Sequence, residues 1–106
     1  MSSFVFTYDQ PVAWPALASA LEFLISTRGE QLLRVKGVVN VKGLEVPLAI
    51  HGVQHLFHPA LTLPQWPDDD RRTRIVFITR DLPSAAIIPL LDHALQADWP
   101  DAEDLL

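Results

Sequence analysis

Residues 32–57 read LLRVKGVVNVKGLEVPLAIHGVQHLF. In Leu32–Val41, Leu33, Val35, Val39 and Val41 fall on one side, and Arg34, Lys36, Asn40 and Lys42 fall mostly on the other. That period of two is the signature of a half-buried strand. Lys42-Gly43-Leu44-Glu45 supplies the turn, with Gly43 free to take a positive φ. Val46 to Phe57 then alternates again. Val46, Leu48, Ile50, Gly52 and Leu56 share one face, while Ala49, His51, Val53, His55 and Phe57 share the other. Two adjacent strands joined by a short turn pair most simply as an antiparallel hairpin.

The flanks extend this unit in both directions. Upstream, Ser3–Tyr8 is β-branched and aromatic and reads as a first strand, ended by Asp9 and Pro11. Between it and the hairpin, Leu17, Ala20, Leu21, Leu24 and Ile25 make an apolar stripe at helical spacing. Pro15 suits the first turn of that helix, and Gly29 suits a left-handed C-cap behind Arg28. Trp14 sits where a capping side chain would be expected and cannot accept a hydrogen bond, so packing of its indole must hold the helix start. Downstream, Pro59–Arg72 carries three prolines and the run Asp68-Asp69-Asp70, and reads as a long loop pinned by Leu61, Leu63 and Trp66. Arg74–Arg80 is a strand with a continuous apolar centre, as an interior strand has. Asp81 is placed to cap a second helix with Pro83 in its first turn and with a stripe at Ile87, Ile88, Leu91 and Leu95; Pro89 should kink it. Asp98–Leu106 is acidic and expected to fray.

The expected order is β-α-β-β-β-α, an α+β two-layer sandwich. A four-stranded, mainly antiparallel sheet carries both helices on one face. One domain spans residues 1–106; 49% hydrophobic residues suffice for a core in a chain of this length.

Composition removes several functions. Without cysteine there is no disulfide framework, thiol nucleophile or thiolate metal site. Thirteen acidic residues against eight basic ones give a net charge of −5, unsuited to nucleic acid. No apolar run approaches the roughly 20 residues of a membrane span, and residues 1–8 lack the basic flank of a signal peptide. The chain reads as soluble and cytoplasmic. No glycine-built phosphate loop occurs among the four glycines at 29, 37, 43 and 52, so these residues cannot hydrolyse a nucleotide unaided. No nucleophile–base motif is present, and the neighbours Asp92 and His93 point in different directions on a helix. Catalytic residues: none.

Three candidate sites remain. His51, His55 and His58 could ligate a metal. On a regular strand, however, His51 and His55 stand roughly 13 Å apart at about 3.3 Å per residue. Zinc–nitrogen bonds are only about 2.1 Å long, and His58 has the opposite parity unless Gly52 or Pro59 marks a bulge. The second candidate is an open sheet face bearing Arg34, Lys36, Asn40, His51, Val53, His55 and Phe57, which is either solvated or an interface. The third is the acidic run at Asp68, which matches no EF-hand spacing and reads as a solvated turn.

Three segments in register, LLRVKGVVNV at 32–41, HGVQHLFHP at 51–59 and RRTRIVFITRDL at 71–82, resemble the C-terminal domain of the CobW family over almost the whole chain. The resemblance implies a place in cytoplasmic GTP-dependent metallochaperones that serve cobalamin synthesis or zinc and cobalt homeostasis. In these, an N-terminal GTPase domain binds GTP, Mg²⁺ and a transition metal. This chain has neither the phosphate loop nor the cysteines of that domain, so nucleotide turnover and the metal motif do not carry over. What remains is a non-catalytic accessory domain. Its implied partners are a CobW-type G domain, in cis or trans, or a metal-receiving client protein. The alternatives are direct metal binding through the histidines and a self-associating, homo-oligomeric module.

Overall fold

The computed structural model describes residues 1–96; the expected fraying of Asp98–Leu106 lies outside them. The chain runs β1 (Ser2–Tyr8), α1 (Trp14–Arg28), a 3-10 turn (Gly29–Gln31), β2 (Leu32–Val39), β3 (Leu48–Val53), β4 (Leu56–Phe57), β5 (Leu61–Thr62), β6 (Thr73–Thr79) and α2 (Ser84–Gln96). The sheet order is β1-β6-β2-β3-β4, with β5 also on β3, and each of these strand pairs is antiparallel. The α+β class and the helix count are as expected. Among the described residues the sheet has six strands rather than four.

The two extra strands come from a reversal that alternation alone does not show. Gln54 takes a left-handed φ of +53°, and its N–H donates to the Leu32 carbonyl at 2.7 Å. The chain therefore turns back at Val53 instead of continuing to Phe57. Leu56 and Phe57 pair with Val53 and Gly52; Leu61 and Thr62 then pair with Ala49 and Leu48. From Gly52 to Ala49 is three steps, whereas from Phe57 to Leu61 is four. One residue is therefore extra, and a bulge lies between β4 and β5. The loop expected from Pro59 thus begins with a short strand. It is also tethered further on, where the Leu63 N–H donates to the Pro47 carbonyl and the Trp66 indole to the Glu45 carbonyl.

A second bulge sits in β2. Leu32 pairs with Thr79 and Arg34 with Ile78, so Leu33 is the extra residue. It therefore falls to Leu32, not Leu33, to enter the core.

One face of the sheet presents Phe6, Val35, Val39, Leu48, Ile50, Ile75 and Phe77, all buried. Leu17, Leu21 and Leu24 of α1 and Ile87 and Leu91 of α2 close over it. Two buried threonines end the β6 row on this side, and both are satisfied. The Thr79 hydroxyl donates to the Leu82 carbonyl, and the Thr73 hydroxyl accepts the Asn40 N–H.

Three helix-end details differ from expectation. Gly29 is right-handed, at φ −55°, and opens the 3-10 turn instead of capping in the left-handed region. Asp81 is left-handed, at φ +53°, and its carbonyl accepts a hydrogen bond from Gln31; α2 begins only at Ser84, so Asp81 belongs to the connecting turn and does not cap. The helix then runs through Pro89 to Gln96. Pro89 has no N–H to offer the Ala85 carbonyl, but both residues are exposed and water can take its place. At the start of α1 the N-cap position is Ala13, not Trp14, with no side-chain capping hydrogen bond, and Trp14, as the first helical residue, packs against the core.

Candidate functional site

Both helices lie on one side, so among the described residues no helix covers the opposite face of the sheet. Strand register orders its side chains into cross-strand rows. One row runs Val5, Val76, Lys36, His51 and ends at His58, whose N–H donates to the His51 carbonyl at 3.0 Å. The next runs Thr7, Arg74, Val38, Ala49 and Leu61. The segment from His58 to Pro67 rises along one side of these rows. Together they form an open groove of about 1070 Å³. Val5 is 52% exposed, Val76 40% and Leu61 68%, which is a large apolar display for one face of a small domain.

The charges of the groove are unevenly compensated. Arg74 is held by Asp68 at 3.0 Å and donates to the Asp70 carbonyl, while Asp70 also binds Arg72 at 2.9 Å. Those hydrogen bonds hold the Asp70 carboxyl far below the usual carboxylate range, and Asp68 is lowered by its bond from Arg74. Backbone N–H groups of Asp70 and Arg72 turn back onto Asp68 and Asp70. The acidic run is thus folded onto its own arginines. Arg34 and Lys36, by contrast, have no carboxylate partner among the described residues. His51 sits beside them, and its imidazole is pushed below the ordinary histidine value by desolvation first, then by His58, Arg34 and Lys36.

The structure divides the residues singled out from sequence. Arg34, Lys36, His51 and Val53 lie on the open face. Asn40 lies beyond the end of β2, its backbone bonded to Thr73 and Val12. His55 is at the tip of the β3–β4 turn, against Gly29 and the C-terminal end of α1. Phe57 faces the helix side, where its ring covers Gly52. His55 and Phe57 leave the expected face because the chain reverses at Gln54. The same reversal brings His58 onto it. The imidazoles of His51 and His58 stack with centroids 5.1 Å apart. The three histidines are therefore not one cluster, and among the described residues no three His, Asp or Glu gather as a metal site. Val5 and Val76 carry no reading from sequence, and Leu61, expected to pin the loop, is instead largely exposed on this face. Their signal was the outward half of each strand's alternation, which in the apolar run at 75–78 looks like burial on both faces.

Among the described residues, no helix is long and apolar enough to cross a membrane. The family model described as the cobalamin synthesis protein cobW C-terminal domain matches residues 1–95. The chain is similar to the zinc chaperone YjiA of Escherichia coli K12, with 32% identity over 87 residues. That match covers 82% of this chain but only 27% of YjiA. A crystal structure of zinc-bound YjiA GTPase from E. coli superposes with a TM-score of 0.79 at 30% identity, covering 91% of this chain and 30% of that one. A zinc-bound triple mutant of YjiA GTPase gives a TM-score of 0.79 at 29% identity, covering 90% and 30%.

Proposed function

Because the chain belongs to the family of cobW C-terminal domains, we propose that it is the non-catalytic, protein-recognising part of a CobW-type GTP-dependent metallochaperone. Its working surface is the open sheet face, and the partner is a CobW-type GTPase domain, in cis or trans. The metal-receiving client is the other protein this face could engage. GTP, Mg²⁺ and the transported metal, zinc or cobalt, belong to the GTPase domain. The setting is cytoplasmic.

The observation that carries this reading is the pair of cross-strand rows. A sheet that buried only what its own helices cover would place polar side chains on the other side. Here Val5 and Val76 of one row and Val38, Ala49 and Leu61 of the next all line the groove, with Lys36 and His51 among them. Phosphate-binding glycines and cysteine ligands are absent from the sequence, so the chain is assigned recognition and not turnover.

Calorimetric titration of the 106-residue chain into a separately produced CobW-type GTPase domain tests the assignment. Val76→Asp and Leu61→Asp should abolish binding. Phe23→Asp, on the exposed side of α1, should not. Absence of binding, or binding that Val76→Asp leaves unchanged, rejects it.

A further inference from the structure

The uncompensated charge of the groove specifies its occupant more closely. We propose that the groove takes an extended segment of a partner protein in which carboxylates alternate with apolar side chains, the carboxylates meeting Lys36, His51 and His58 and the apolar groups covering Val38, Ala49 and Leu61. This rests on the recognition role assigned to the face and adds the chemistry of what it recognises.

Three observations support an acidic, apolar segment. The chain carries a net charge of −5, yet among the described residues the groove is lined by no carboxylate. Its nearest acids, Asp68 and Asp70, are tied to Arg74 and Arg72, which leaves Lys36, with Arg34 behind it, uncompensated among the described residues. Secondly, Lys36, His51 and His58 are consecutive in one row and Val38, Ala49 and Leu61 are consecutive in the next, with Val5 and Val76 leading the first row and the acid-paired Arg74 in the second. Rows on one face are two residues apart along each strand, about 6.6 Å. An extended chain running across the strands can therefore lay alternate side chains over the two rows. Finally, the volume of about 1070 Å³ and the open length suit a polypeptide segment better than a small ligand, whose pockets run to about 1,000 Å³ and enclose it. Two uncompensated cations are too few for a polyphosphate backbone, which releases counterions against many.

Binding should be coupled to a proton. His51 is faced by Arg34 and Lys36 from β2 and by His58 beyond β4, while Arg74 of β6 is neutralised by its own acids. Desolvation first, and then the charges of His58, Arg34 and Lys36, disfavour the imidazolium of His51. An incoming carboxylate reverses the balance, and the imidazole takes up a proton as the complex forms.

The test is an NMR titration of the full ¹⁵N-labelled chain with three acetylated octapeptides: DVEVDVEV, KVKVKVKV and SVSVSVSV. Saturable amide shifts at Lys36, Ala49, His51 and His58 are expected with the first alone. Lys36→Glu should weaken that binding about tenfold or more; if this variant fails to fold, Lys36→Gln should weaken it by a smaller factor. Affinity should rise several-fold from pH 8 to pH 6, and His51→Asn should reduce that pH dependence while binding persists. Equal binding of the lysine peptide, or no saturable shift with the acidic one, overturns the proposal. If the GTPase domain still binds this face in that case, the acidic-segment inference alone fails; if neither binds, the recognition role fails as well.

Discussion

The α-carbon of Gly37 lies directly on the backbone of β6, so that a β-carbon there would run into the Arg74 carbonyl oxygen and stand 2.7 Å from the Ile75 α-carbon. Neither group can move without shifting the central strand pair. Gly29 is crowded too, but by the imidazole of exposed His55, which can swing away. Gly37→Ala should therefore cost about 2–3 kcal/mol, in the range of overpacked cores, and Gly29→Ala less than about 1. Urea denaturation of both variants checks the ordering. Equal losses would contradict it.

The loop entering β6 should make the domain acid-sensitive. Asp68 and Asp70 are both held below their unfolded pKa, near 4, by hydrogen bonds from Arg74 and Arg72. A carboxyl lowered in the folded state binds its proton more readily when unfolded, so stability rises with pH across its titration. The contribution of these pairs is complete above about pH 5 and drains as the pH falls through 4 into the strongly acid range. Asp70→Asn should flatten part of that slope in thermal melts taken from pH 6 to pH 2.5. A variant with the same slope as the parent would assign the acid sensitivity elsewhere.

Much of the architecture was legible because two periods dominate the chain. The helical stripes at Leu17–Leu24 and Ile87–Leu91, the alternation in residues 3–8 and in 32–41 beyond Leu33, and the continuous apolar run in 74–80 all mark elements of the structure. What was not legible depends on single residues that leave the pattern intact. Gln54 adopts a conformation that glycine or asparagine usually announces. An inserted residue, as at Leu33 or between Phe57 and Leu61, swaps faces without altering composition. The open face was half-readable for this reason: Arg34, Lys36, His51 and Val53 precede the reversal and lie on that face, His55 and Phe57 follow it and leave it, and Asn40 falls beyond the end of β2.

The same reversal bears on metal binding. His51 and His58 stack on one face while His55 stands at the end of α1. Any Zn²⁺ or Co²⁺ uptake by the chain should therefore fall equally with His51→Ala and His58→Ala and be untouched by His55→Ala. With two imidazoles and no third ligand in the described residues, affinity should be no tighter than about millimolar, far from a three- or four-ligand zinc site. Calorimetric titration of the three variants measures it. A His55-dependent, micromolar site would require a different β3–β4 turn.

Asp81 offers a test of local conformation, because two accounts of it predict opposite signs. As an N-cap, its carboxylate would satisfy first-turn N–H groups; Asp81→Ala would cost about 1 kcal/mol and Asp81→Gly a few tenths. In the structure it instead occupies the left-handed region at φ +53°, between Thr79, whose hydroxyl ties the Leu82 carbonyl, and the first residue of α2 at Ser84. A residue with a β-carbon pays about 1–2 kcal/mol there, less for aspartate than for most, and glycine pays almost nothing. Asp81→Gly should then be neutral or stabilising by up to about 1 kcal/mol, even after the added freedom of the unfolded chain. Asp81→Val, branched at the β-carbon and without a polar group to bond locally, should lose about 1–2 kcal/mol. Urea midpoints at an unchanged m-value separate the two accounts: a rise for glycine with a fall for valine supports the left-handed turn, and a fall for both restores the cap.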